Sequence, residues 1–592
     1  MFCASGVCDT VTLSLPIMKN IAIVGAGQSG LQLGLGLLHA GYGVTLVSDR
    51  TAEEIRNGRV MSSQCMFDWA LQTERDLHIN MWEKACPAVE GIGFSVAGPH
   101  GEKVVDWAAR LDHYAQAVDQ RVKMPEWMAR FEKSGGRLLI HEAKISDVDE
   151  YSRDHDLTII ATGKGSLGQL FERDAERSPY KKPQRALALT YVKNMLPRES
   201  YPAVAFNLIP GVGEYFAFPA LTKTGPCEIM VFEGIPSGPM DCWSDVESPA
   251  QHLAKSRWIL EKFLPWESAR CADIELTDEQ GILAGALTPG VRKPVASLPS
   301  GRKVLGMADA VVLNDPLTGQ GSNNAAKAAD TYLKSILELG NETADAHWMQ
   351  QTFDRYWSGY ARWVTEWTNL LLNPPAHVLK ILESGSQSKG VAEAIVNGFD
   401  DPRSLFPWFT DPVQAQAFLD QTTKAEEKSF DRRDFRRALG QFATGVTIVS
   451  TRSKEGRRVG MTVNSFSSVS LDPPLVMWSL GKHSSGYSDF TGATHFAVNV
   501  LAADQHHLSR QFSTLVPDRF AGVTCAEGEG GCPLLEGATA HFVCRKVREL
   551  DAGDHVIFLG EVVDYRWQEG EPLIFHSGRY HVKTRHPDLP DE

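Results

Sequence analysis

The alternation of apolar and polar positions predicts that the chain opens with a parallel β–α–β unit. Lys19–Val24 is a short apolar run typical of a buried strand, and a glycine-rich turn leads from it into the helical pattern "LQLGLGLLHAG". A second apolar run, Gly43–Arg50, completes a unit of roughly thirty residues. Further along, Asp156–Gly168 predicts another buried strand that ends in a glycine-rich turn.

The middle of the chain changes to β-rich patterns. Stretches such as "YPAVAFNLIPGVGEYFAFPAL", between about Ala186 and Ser297, predict a sheet that walls a substrate cavity. The segment that starts at Lys303 then returns to a strand, a loop and a helix. We therefore predict an α/β domain over residues 18–421, with an inserted β-rich substrate domain at about 186–297 and helices at its C-terminal end.

Aromatic residues recur at three- and four-residue steps in the next helical pattern. They are Phe353, Tyr356, Trp357, Tyr360, Trp363 and Trp367. This spacing is typical of a stripe that faces the core, which is the interpretation we favour. The alternative is an aromatic gate over a substrate site.

A polar stretch from about Asp411 to Ser429 marks the change to a second module. We predict a helical, semi-rigid linker at residues 422–429. From residue 430 to residue 592, short strands alternate with turn residues, which is typical of a small β-barrel. At the other end, residues 1–17 are predicted to be a disordered extension or the product of an upstream start codon.

Composition and charge exclude several kinds of partner. The formal net charge of −14 argues against nucleic acid and anionic membrane surfaces, because both require a basic face. No apolar run approaches the roughly eighteen residues that span a bilayer. The 10 cysteines form no CxxC pair, so we expect reduced thiols in a cytoplasmic enzyme. Zinc binding by Cys525 and Cys532 is not favoured, because no second pair lies at finger-like spacing, and we predict no metal site.

The motif "GAGQSG" has the spacing of a dinucleotide-binding turn. Gly25 permits the tight turn, Gly27 lets the backbone approach a pyrophosphate, and Gly30 allows close packing of helix on strand. The helix that follows offers unpaired N–H groups to the phosphates. Asp49, at the end of the second strand, is the predicted ribose ligand; the alternative is a simple strand-end turn.

A later segment favours FAD over NAD as the dinucleotide. In "GMADAVVLNDPLTGQGSNNAAKAA", Asp309 follows a strand and is placed to accept a ribitol hydroxyl; by itself it could equally be a helix cap. The loop after it enters a helix and can bring backbone N–H groups to the isoalloxazine edge. The residues of this loop that we single out are Pro316, Gly319, Gln320 and Gly321.

These motifs together resemble the FAD monooxygenases of the styrene and indole monooxygenase type. The matching segments include "GAGQSGL", "GRVMSSQ", "ATGKGSLG", "NDPLTGQGSN" and "RWVTEWTNLLLNPP", and they cover nearly all of residues 19–412. The resemblance implies that Arg59 and Arg121 contact FAD or its surroundings; the alternative is an ion-pair role for each. Ser62, Ser63 and Gln64 stand where the family carries an asparagine near the flavin, which places substrate preference in question.

The second module has its own flavin signal in "GMTVNSFSSVSLDPP". Small hydroxyl and amide groups in this stretch can meet the polar edge of a flavin. A lysine and two serines that follow the stretch can meet a phosphate. The first group is Thr462, Asn464, Ser465 and Ser468, and the second is Lys482, Ser484 and Ser485. A polar strand-turn of a barrel is the structural alternative.

This module resembles the short-chain flavin reductases that serve two-component monooxygenases. Further matching segments are "FATGVTIVST", "HFAVNVL", "GDHVIFLGEV" and "SGRYH". By that resemblance His555 contacts and orients the nicotinamide of NADH, with Gly578, Arg579 and Tyr580 as its partner segment. The two resemblances imply that the first module has a Rossmann-like monooxygenase fold with an inserted β-rich domain and that the second module is a split β-barrel. They also imply that two copies of the chain form a homodimer through the reductase module.

The first module lacks a second fingerprint for a pyridine nucleotide, so its electrons must come from elsewhere. The resemblance implies that NADH reduces FAD in the C-terminal domain. The N-terminal domain would then use reduced FAD and O2, through a C4a-(hydro)peroxyflavin, to epoxidise styrene-like alkenes or indole. The alternative is a reductase whose N-terminal domain is regulatory or produces only peroxide. A flavin-dependent halogenase is not favoured, because its Trp-x-Trp-x-Ile-Pro segment is missing.

Overall fold

The computed structural model describes residues 19–163, 165–425, 432–514 and 518–584. The chain divides into two compact units, residues 1–428 and 429–592. The predicted extension over residues 1–17 lies outside the described residues. So does the second half of the predicted linker, 426–429, whereas 422–425 close the helix Pro412–Ala425.

The first unit contains a six-stranded sheet with the first strand of the chain near its centre. Its strands lie in the order Val295–Ser297, Lys303–Gly306, Leu157–Ile160, Asn20–Val24, Gly43–Ser48 and Arg137–Ile140. All neighbours are parallel except the pair that Val295–Ser297 forms with Lys303–Gly306. The central strands Asn20–Val24 and Leu157–Ile160 are mostly apolar, as expected of a parallel sheet that helices cover on both faces.

Helices that pack around this sheet begin where the sequence changes to a helical period. They are Gln28–His39, Ala52–Asn57, Asp68–Asp76, Gln120–Lys133, Ile145–Asp154 and Gly321–Leu339. Thr51 starts one of them with a reciprocal capping box, in which its hydroxyl accepts from the N–H of Glu54 and the Glu54 carboxylate accepts from the N–H of Thr51.

A nine-stranded, mostly antiparallel sheet forms the second layer of this unit. Its strands lie in the order Glu275–Leu276, Ala186–Lys193, Gly225–Gly234, Gly213–Thr222, Val204–Ile209, Val89–Ala97, Lys103–Ala117 and Cys65–Met66, with Ile282–Ala286 also paired to Ala186–Lys193. The sheet therefore extends beyond the predicted region 186–297, since it recruits Val89–Ala97 and Lys103–Ala117. The short strands Gly290–Val291 and Val312–Leu313 form a separate pair.

Both faces of this second sheet are buried. Side chains alternate between the faces, so Phe216 and Phe218 enter one core while Tyr215 and Ala217 enter the other. The helix Pro249–Phe263 covers the second face. The helices over the first face are Arg362–Leu372, Ala376–Ser384, Lys389–Asn397 and Pro412–Ala425.

The aromatic stripe lies on one continuous helical run. The helix Ala346–Tyr356 passes through a π-helical turn, Trp357–Ala361, into the helix Arg362–Leu372. Phe353, Tyr356, Tyr360 and Trp367 are all buried. The core-facing interpretation is confirmed for these four side chains.

The second unit is built on a seven-stranded antiparallel sheet. Its strands lie in the order Arg458–Val463, Thr447–Arg452, His495–Val500, Ala540–Ala552, His555–Trp567, Pro474–Gly481 and Ser467–Leu471. The two edge strands, Arg458–Val463 and Ser467–Leu471, follow one another in the chain, so the sheet curls back on itself. Trp478, Phe490, Phe496 and Phe558 form the aromatic centre of its core.

Smaller elements complete the second unit. Within its described residues, three α-helices and two small sheets accompany the large sheet. The helices are Arg432–Gly440, Tyr487–Gly492 and His506–Ser513. The small sheets pair Thr444–Gly445 with Ile574–His576 and Arg579–His581, and Cys525–Glu527 with Pro533–Leu535.

Within the described ranges, none of the helices has both the length and the apolar composition that crossing a membrane requires. Among the same residues, the His, Cys, Asp and Glu side chains form no group of three that could hold a metal ion.

Candidate functional site

The predicted glycine turn lies at the carboxyl end of the central strand of the first sheet. Gly25 has a φ of +123°, and a Cβ atom there would lie 2.9 Å from the carbonyl carbon of Ala161. Only glycine tolerates both conditions. A Cβ atom on Gly30 would lie 1.9 Å from the carbonyl oxygen of Gly25, so the helix packs directly on the turn.

Gly27 differs from these two glycines because a Cβ atom on it would meet no atom within 4 Å. It occupies the N-cap of the helix Gln28–His39, and no side chain caps that helix end. The first N–H groups of this helix therefore face open space, where a helix N-terminus favours an anion.

This open space is a cavity of about 610 Å³. Five of the predicted residues line it: Gly25, Gly27, Asp49, Asp309 and Gly321. Segments far apart in the sequence thus meet at one edge of the parallel sheet, where ligands of such sheets bind. Other lining residues were not singled out from the sequence, among them Gln120 and also Thr162 and Gly163, which lie in the matching segment "ATGKGSLG".

Turn geometry and hydrogen bonds on the side away from the cavity fix the loop that carries Gly321. Residues Pro316–Thr318 form a 3-10 turn, and Gly319 ends it with a φ of +63°. The side chain of Gln320 points away from the cavity, donating to the carbonyl of Phe399 and accepting from the hydroxyl of Tyr360. Pro316, Gly319 and Gln320 therefore shape the loop, and Gly321 is the predicted residue that reaches the cavity lining.

The two arginines lie elsewhere. Arg59 is exposed and is not among the cavity-lining residues. Arg121 is fully buried, and its guanidinium donates to Asp119 and Asp278 at 2.8–3.1 Å and to the hydroxyl of Thr222. The structure thus shows Arg121 in a buried ion-pair network, and the FAD contact implied by the resemblance stays a prediction for both arginines.

The segment that departs from the family pattern lies beside the cavity. Ser62 lines the cavity, and its hydroxyl donates to the side-chain carbonyl of Gln64 at 2.8 Å. The Gln64 amide donates in turn to the hydroxyl of Tyr191, which donates to the backbone carbonyl of Ser62. The Ser62 hydroxyl also accepts from the side-chain amide of Gln120 at 2.9 Å, so the network continues to a second residue of the cavity lining.

A second, apolar cavity of about 50 Å³ lies between the nine-stranded sheet and the helices that cover it. Its walls include Phe94, Trp107, Phe206 and Trp367, together with Leu317 from the loop Pro316–Gly321. Among the described residues of its lining, Glu214 is the one ionisable side chain. The sequence predicted that the β-rich stretch around Phe206 walls a cavity, but it did not indicate the other walls, which come from strands and helices distant in the chain.

In the second unit, the structure brings the predicted phosphate and nicotinamide residues together. Gly481 pairs with His555 across neighbouring strands, and Lys482 and Ser484 follow in the turn. Lys482 donates to both oxygens of Asp551 at 2.9 Å, and this hydrogen bond lowers the pKa of the Asp551 carboxyl.

His555 is half exposed and oriented from one side. Its Nδ1 lies 2.7 Å from the carboxylate of Asp554. A carboxylate can only accept, so Nδ1 carries the proton and Nε2 is left to face the side where Gly481 lies. Asp554 lies in the matching segment "GDHVIFLGEV" but was not singled out from the sequence, and neither was Asp551.

A separate polar cluster joins two other predicted residues through Ser509. The Thr462 hydroxyl donates to the backbone carbonyl of Ser509 at 2.7 Å, and the hydroxyls of Tyr580 and Ser509 lie 2.8 Å apart. Ser509 itself was not predicted.

The remaining predicted residues of this unit are placed as follows. The Ser465 hydroxyl donates to the backbone carbonyl of Ser479 and accepts from the N–H of the same residue. Asn464, Ser468 and Ser485 are exposed on the surface of the unit. Gly578, with a φ of +77°, lies in the two-residue turn of a β-hairpin whose second strand begins at Arg579.

Two protein-family models match separate parts of the chain. The family model "Styrene monooxygenase A putative substrate binding domain" matches residues 163–270, and the "Flavin reductase like domain" model matches residues 439–584. Styrene monooxygenase StyA of Pseudomonas fluorescens is 28% identical over 413 residues, which are 68% of this chain and 98% of the relative.

Two reductases match the second unit. FMN reductase (NADH) SmoA of Agrobacterium fabrum is 49% identical over 148 residues, 25% of this chain and 84% of the relative. The NADH-dependent FAD reductase of Streptomyces globisporus is 44% identical over 156 residues, 25% of this chain and 85% of the relative.

Together these findings define a flavin-dependent oxidoreductase with two components in one chain. The chain belongs to the flavin reductase family through its C-terminal unit and carries a styrene monooxygenase-like region in its N-terminal unit. The predicted resemblance is confirmed, and the relatives agree with the predicted cofactors FAD and NADH.

Proposed function

We propose that the chain is a self-sufficient flavin monooxygenase. Its C-terminal unit reduces FAD with NADH, and its N-terminal unit uses the reduced FAD and O2 to epoxidise styrene-like alkenes or indole. The observation that carries the proposal is the convergence of Gly27, Asp49, Asp309 and Gly321 on one cavity, with Leu317 of the same loop lining an apolar cavity.

The residues around the larger cavity fit FAD. A volume of about 610 Å³ is within the ~300–1,000 Å³ of typical ligand pockets. Gly27 and the helix N-terminus would hold the pyrophosphate, Asp49 the adenosine ribose and Asp309 the ribitol, while the Gly321 N–H would face the ring. The flavin, when bound, carries electrons from the nicotinamide to O2.

The apolar cavity is the proposed substrate site. Its aromatic walls exclude water, which protects a reactive oxidant from side reactions. Its volume of about 50 Å³ is less than the ~150 Å³ of an engineered cavity that binds benzene. A single-ring alkene therefore enters only if lining side chains move.

In the C-terminal unit, the turn at Lys482 and Ser484 lies beside His555, which suits a phosphate next to a nicotinamide. Lys482 supplies the positive charge, although Asp551 competes for it. Asp554 fixes the imidazole so that His555 orients the nicotinamide without exchanging a proton with it. A reaction that consumes NADH is expected in the cytoplasm.

The reductase unit is proposed to form a homodimer. It exposes large apolar side chains on its long strands and edge strand, including Leu471 at 95%, Trp567 at 72% and Tyr565 at 64% exposure. Such a concentration of exposed apolar groups marks a protein interface. The second copy of this chain is the occupant that the resemblance implies.

A second candidate function is a flavin reductase whose N-terminal unit produces only peroxide or acts as a regulatory flavin-binding domain. The hydrogen-bond network of Ser62, Gln64, Tyr191 and Gln120 favours it, because the groups that bond to one another leave little polar capacity for a flavin or substrate.

One experiment separates the two functions. The purified full chain is supplied with NADH, FAD and O2, and with styrene or indole, and the products and hydrogen peroxide are measured by chromatography and a peroxidase assay. Oxygenated product that requires both NADH and the alkene supports the monooxygenase. NADH oxidation that ends wholly in hydrogen peroxide contradicts it and supports the second candidate.

A further inference from the structure

Four ionisable side chains are buried together beneath the loop Pro316–Gly321. Glu214, Glu233, Asp315 and Arg185 are exposed by 4%, 0%, 2% and 8% respectively. Three ionised carboxylates against one guanidinium would leave two uncompensated negative charges in the protein interior. Burying such charges is costly, so the cluster is expected to retain protons.

Arg185 is committed to one of the three acids. It forms a bidentate pair with Glu214, with nitrogen–oxygen distances of 2.7 and 2.8 Å. Its third nitrogen donates to the backbone carbonyl of Gln184. Glu214 is therefore the carboxyl group that Arg185 pairs with, and among the described residues Glu233 and Asp315 have no cation of their own in this cluster.

Glu233 lies directly opposite Glu214 on the neighbouring antiparallel strand. Cross-strand neighbours place their Cβ atoms about 4.5–5.5 Å apart. Both oxygens of Glu233 lack a hydrogen-bond partner among the described residues. A fully buried carboxyl group without a partner requires an explanation, because nearly all buried polar groups are hydrogen-bonded.

The electrostatic surroundings favour the protonated form of Glu233. Burial raises the pKa of Glu233 well above its ordinary value, and Asp315 and Glu214 raise it further against the opposing effect of Arg185. Burial also raises the pKa of Asp315 to about 6. The remaining titratable group that faces Arg185 and Asp315 is Tyr180, whose raised pKa keeps it neutral and whose hydroxyl donates to the carbonyl of Asn369.

Two of these acids, Glu214 and Asp315, adjoin the apolar cavity, and the loop that follows Asp315 continues to the larger cavity. Glu214 lines the apolar cavity. The Asp315 carboxylate accepts from the N–H of Leu317 at 3.3 Å, and Leu317 lines the same cavity. Gly321, at the other end of the loop, lines the larger cavity.

The reaction under Proposed function, on which this inference rests, consumes a proton. Alkene, O2, NADH and one H⁺ give epoxide, water and NAD⁺. One oxygen atom enters the product, and the other leaves as water with the hydride of NADH and the proton. We propose that Glu233 stores this proton as a carboxylic acid in the resting protein, releases it toward the loop Pro316–Gly321 during oxygenation, and regains it from solvent.

The first test reads the proton on Glu233 without turnover. Infrared spectra of the oxidised full chain should show the C=O stretch of a protonated carboxyl group that shifts in D2O and is absent in Glu233→Gln. Asp315→Asn removes a repelling charge, so the same band should titrate at lower pH in that variant. An unchanged band in Glu233→Gln would overturn the proposal.

The second test reads the use of the proton. Product formation from styrene or indole should fall about a hundredfold in Glu233→Gln, within the range of general acid catalysis, while NADH oxidation continues into hydrogen peroxide. Product formation by the wild-type chain should fall at alkaline pH, where Glu233 loses its proton, and this fall should be absent in Glu233→Gln.

Glu228→Gln is the matched control, because Glu228 lies on the same strand five positions away, on the opposite face of the sheet, and its pKa is also raised, to about 7. It should keep product formation within about twofold of wild type. If Glu233→Gln does not fold, Asp315→Asn must shift the pH profile of product formation in the same direction as the infrared band. A wild-type chain that makes no oxygenated product refutes the proposed function itself, whereas product formation with an unchanged pH profile in the variants overturns only the role of Glu233.

Discussion

Gly481 lies directly opposite His555 in an antiparallel pair of strands, and a Cβ atom on Gly481 would lie 3.8 Å from Nε2 of His555. The same Cβ atom would lie 3.4 Å from the hydroxyl of Ser484. The space in front of the imidazole therefore depends on the absence of a side chain at residue 481.

The first prediction concerns NADH recognition at this position. His555→Ala should raise the KM for NADH about tenfold and leave the Kd for FAD unchanged, because His555 is proposed to orient the nicotinamide only. Gly481→Ala should fold normally, since its new contacts are ordinary van der Waals distances, and should also raise the KM for NADH. Steady-state NADH oxidation and flavin titration measure the two quantities. The exposed His506 gives the control variant His506→Ala, and an unchanged KM in His555→Ala would refute the assignment.

The second prediction separates folding from flavin binding at the glycine turn. Gly27→Ala should leave the stability of the N-terminal unit unchanged but weaken FAD binding at least tenfold, because its methyl group would enter the space assigned to the pyrophosphate. Gly30→Ala should destabilise the same unit by about 1–3 kcal/mol, because its methyl group would overlap the carbonyl of Gly25. Urea unfolding and FAD titration distinguish the two effects. Equal FAD affinity in Gly27→Ala and wild type would show that the phosphate lies elsewhere.

The third prediction concerns the apolar cavity. Phe94→Leu enlarges the space among Trp107, Phe206 and Trp367, so kcat/KM for a two-ring substrate should rise relative to that for styrene. The lost packing should cost about 1–2 kcal/mol of unfolding free energy. Competition assays with paired substrates measure the ratio. Leu260→Ala, in the core on the other face of the sheet, is the control for destabilisation alone. If both variants change the ratio equally, this cavity does not select the substrate.

The fourth prediction is a pH dependence of stability caused by Asp315. Burial is the main cause that raises its pKa from 3.8 to about 6, so the folded protein binds this proton more tightly than the unfolded chain does. The resulting stabilisation is fully present below pH 3.8 and is lost as pH rises through about 6. At about 1.4 kcal/mol per pKa unit, the loss amounts to roughly 3 kcal/mol.

Asp315→Asn should remove this loss while keeping the cap on the N–H of Leu317, because asparagine caps as well as aspartate does. The free energy of unfolding of the N-terminal unit, measured in urea between pH 3.8 and about 6, tests this prediction. The unfolding of the C-terminal unit in the same samples serves as the internal control. If the unfolding free energies of wild type and variant depend on pH in the same way, the prediction is contradicted.

The fifth prediction tests the proposed dimer. Leu471→Ser and Trp567→Ser together should shift the chain from dimer to monomer in sedimentation velocity, because each removes an exposed apolar group that a second copy would cover. The double variant Leu379→Ser and Val413→Ser removes exposed apolar groups of the N-terminal unit and should leave the assembly unchanged. A wild-type chain that sediments as a monomer would refute the proposal directly.

Local signals in the sequence predicted much of the framework. Gly25 and Gly30 needed no tertiary information, because a tight strand-to-helix turn restricts both positions through neighbours within a few residues. The burial of Phe353 and Tyr356 followed from the helical period. Asp309 and Gly321 could be predicted because a strand, a loop and a helix N-terminus follow one another in the chain.

Other features depended on contacts between distant segments. Arg121 reaches Asp278 across more than 150 residues, and no pattern near either residue marks that pair. The strands Val89–Ala97 and Lys103–Ala117 join a sheet whose other long strands come after residue 186, because edge pairing depends on which backbone is nearby rather than on side-chain pattern.

The sequence by itself determined which segments form strands, helices and tight turns, and which two enzyme families the chain resembles, because periodicity, glycine positions and short motifs are local. Only the tertiary structure decided that Glu214 faces Glu233, that Leu317 and Phe94 share a cavity, and that Asp554 orients His555. Burial and the balance of charge are set by every neighbour in space, and most of those neighbours are distant in the chain.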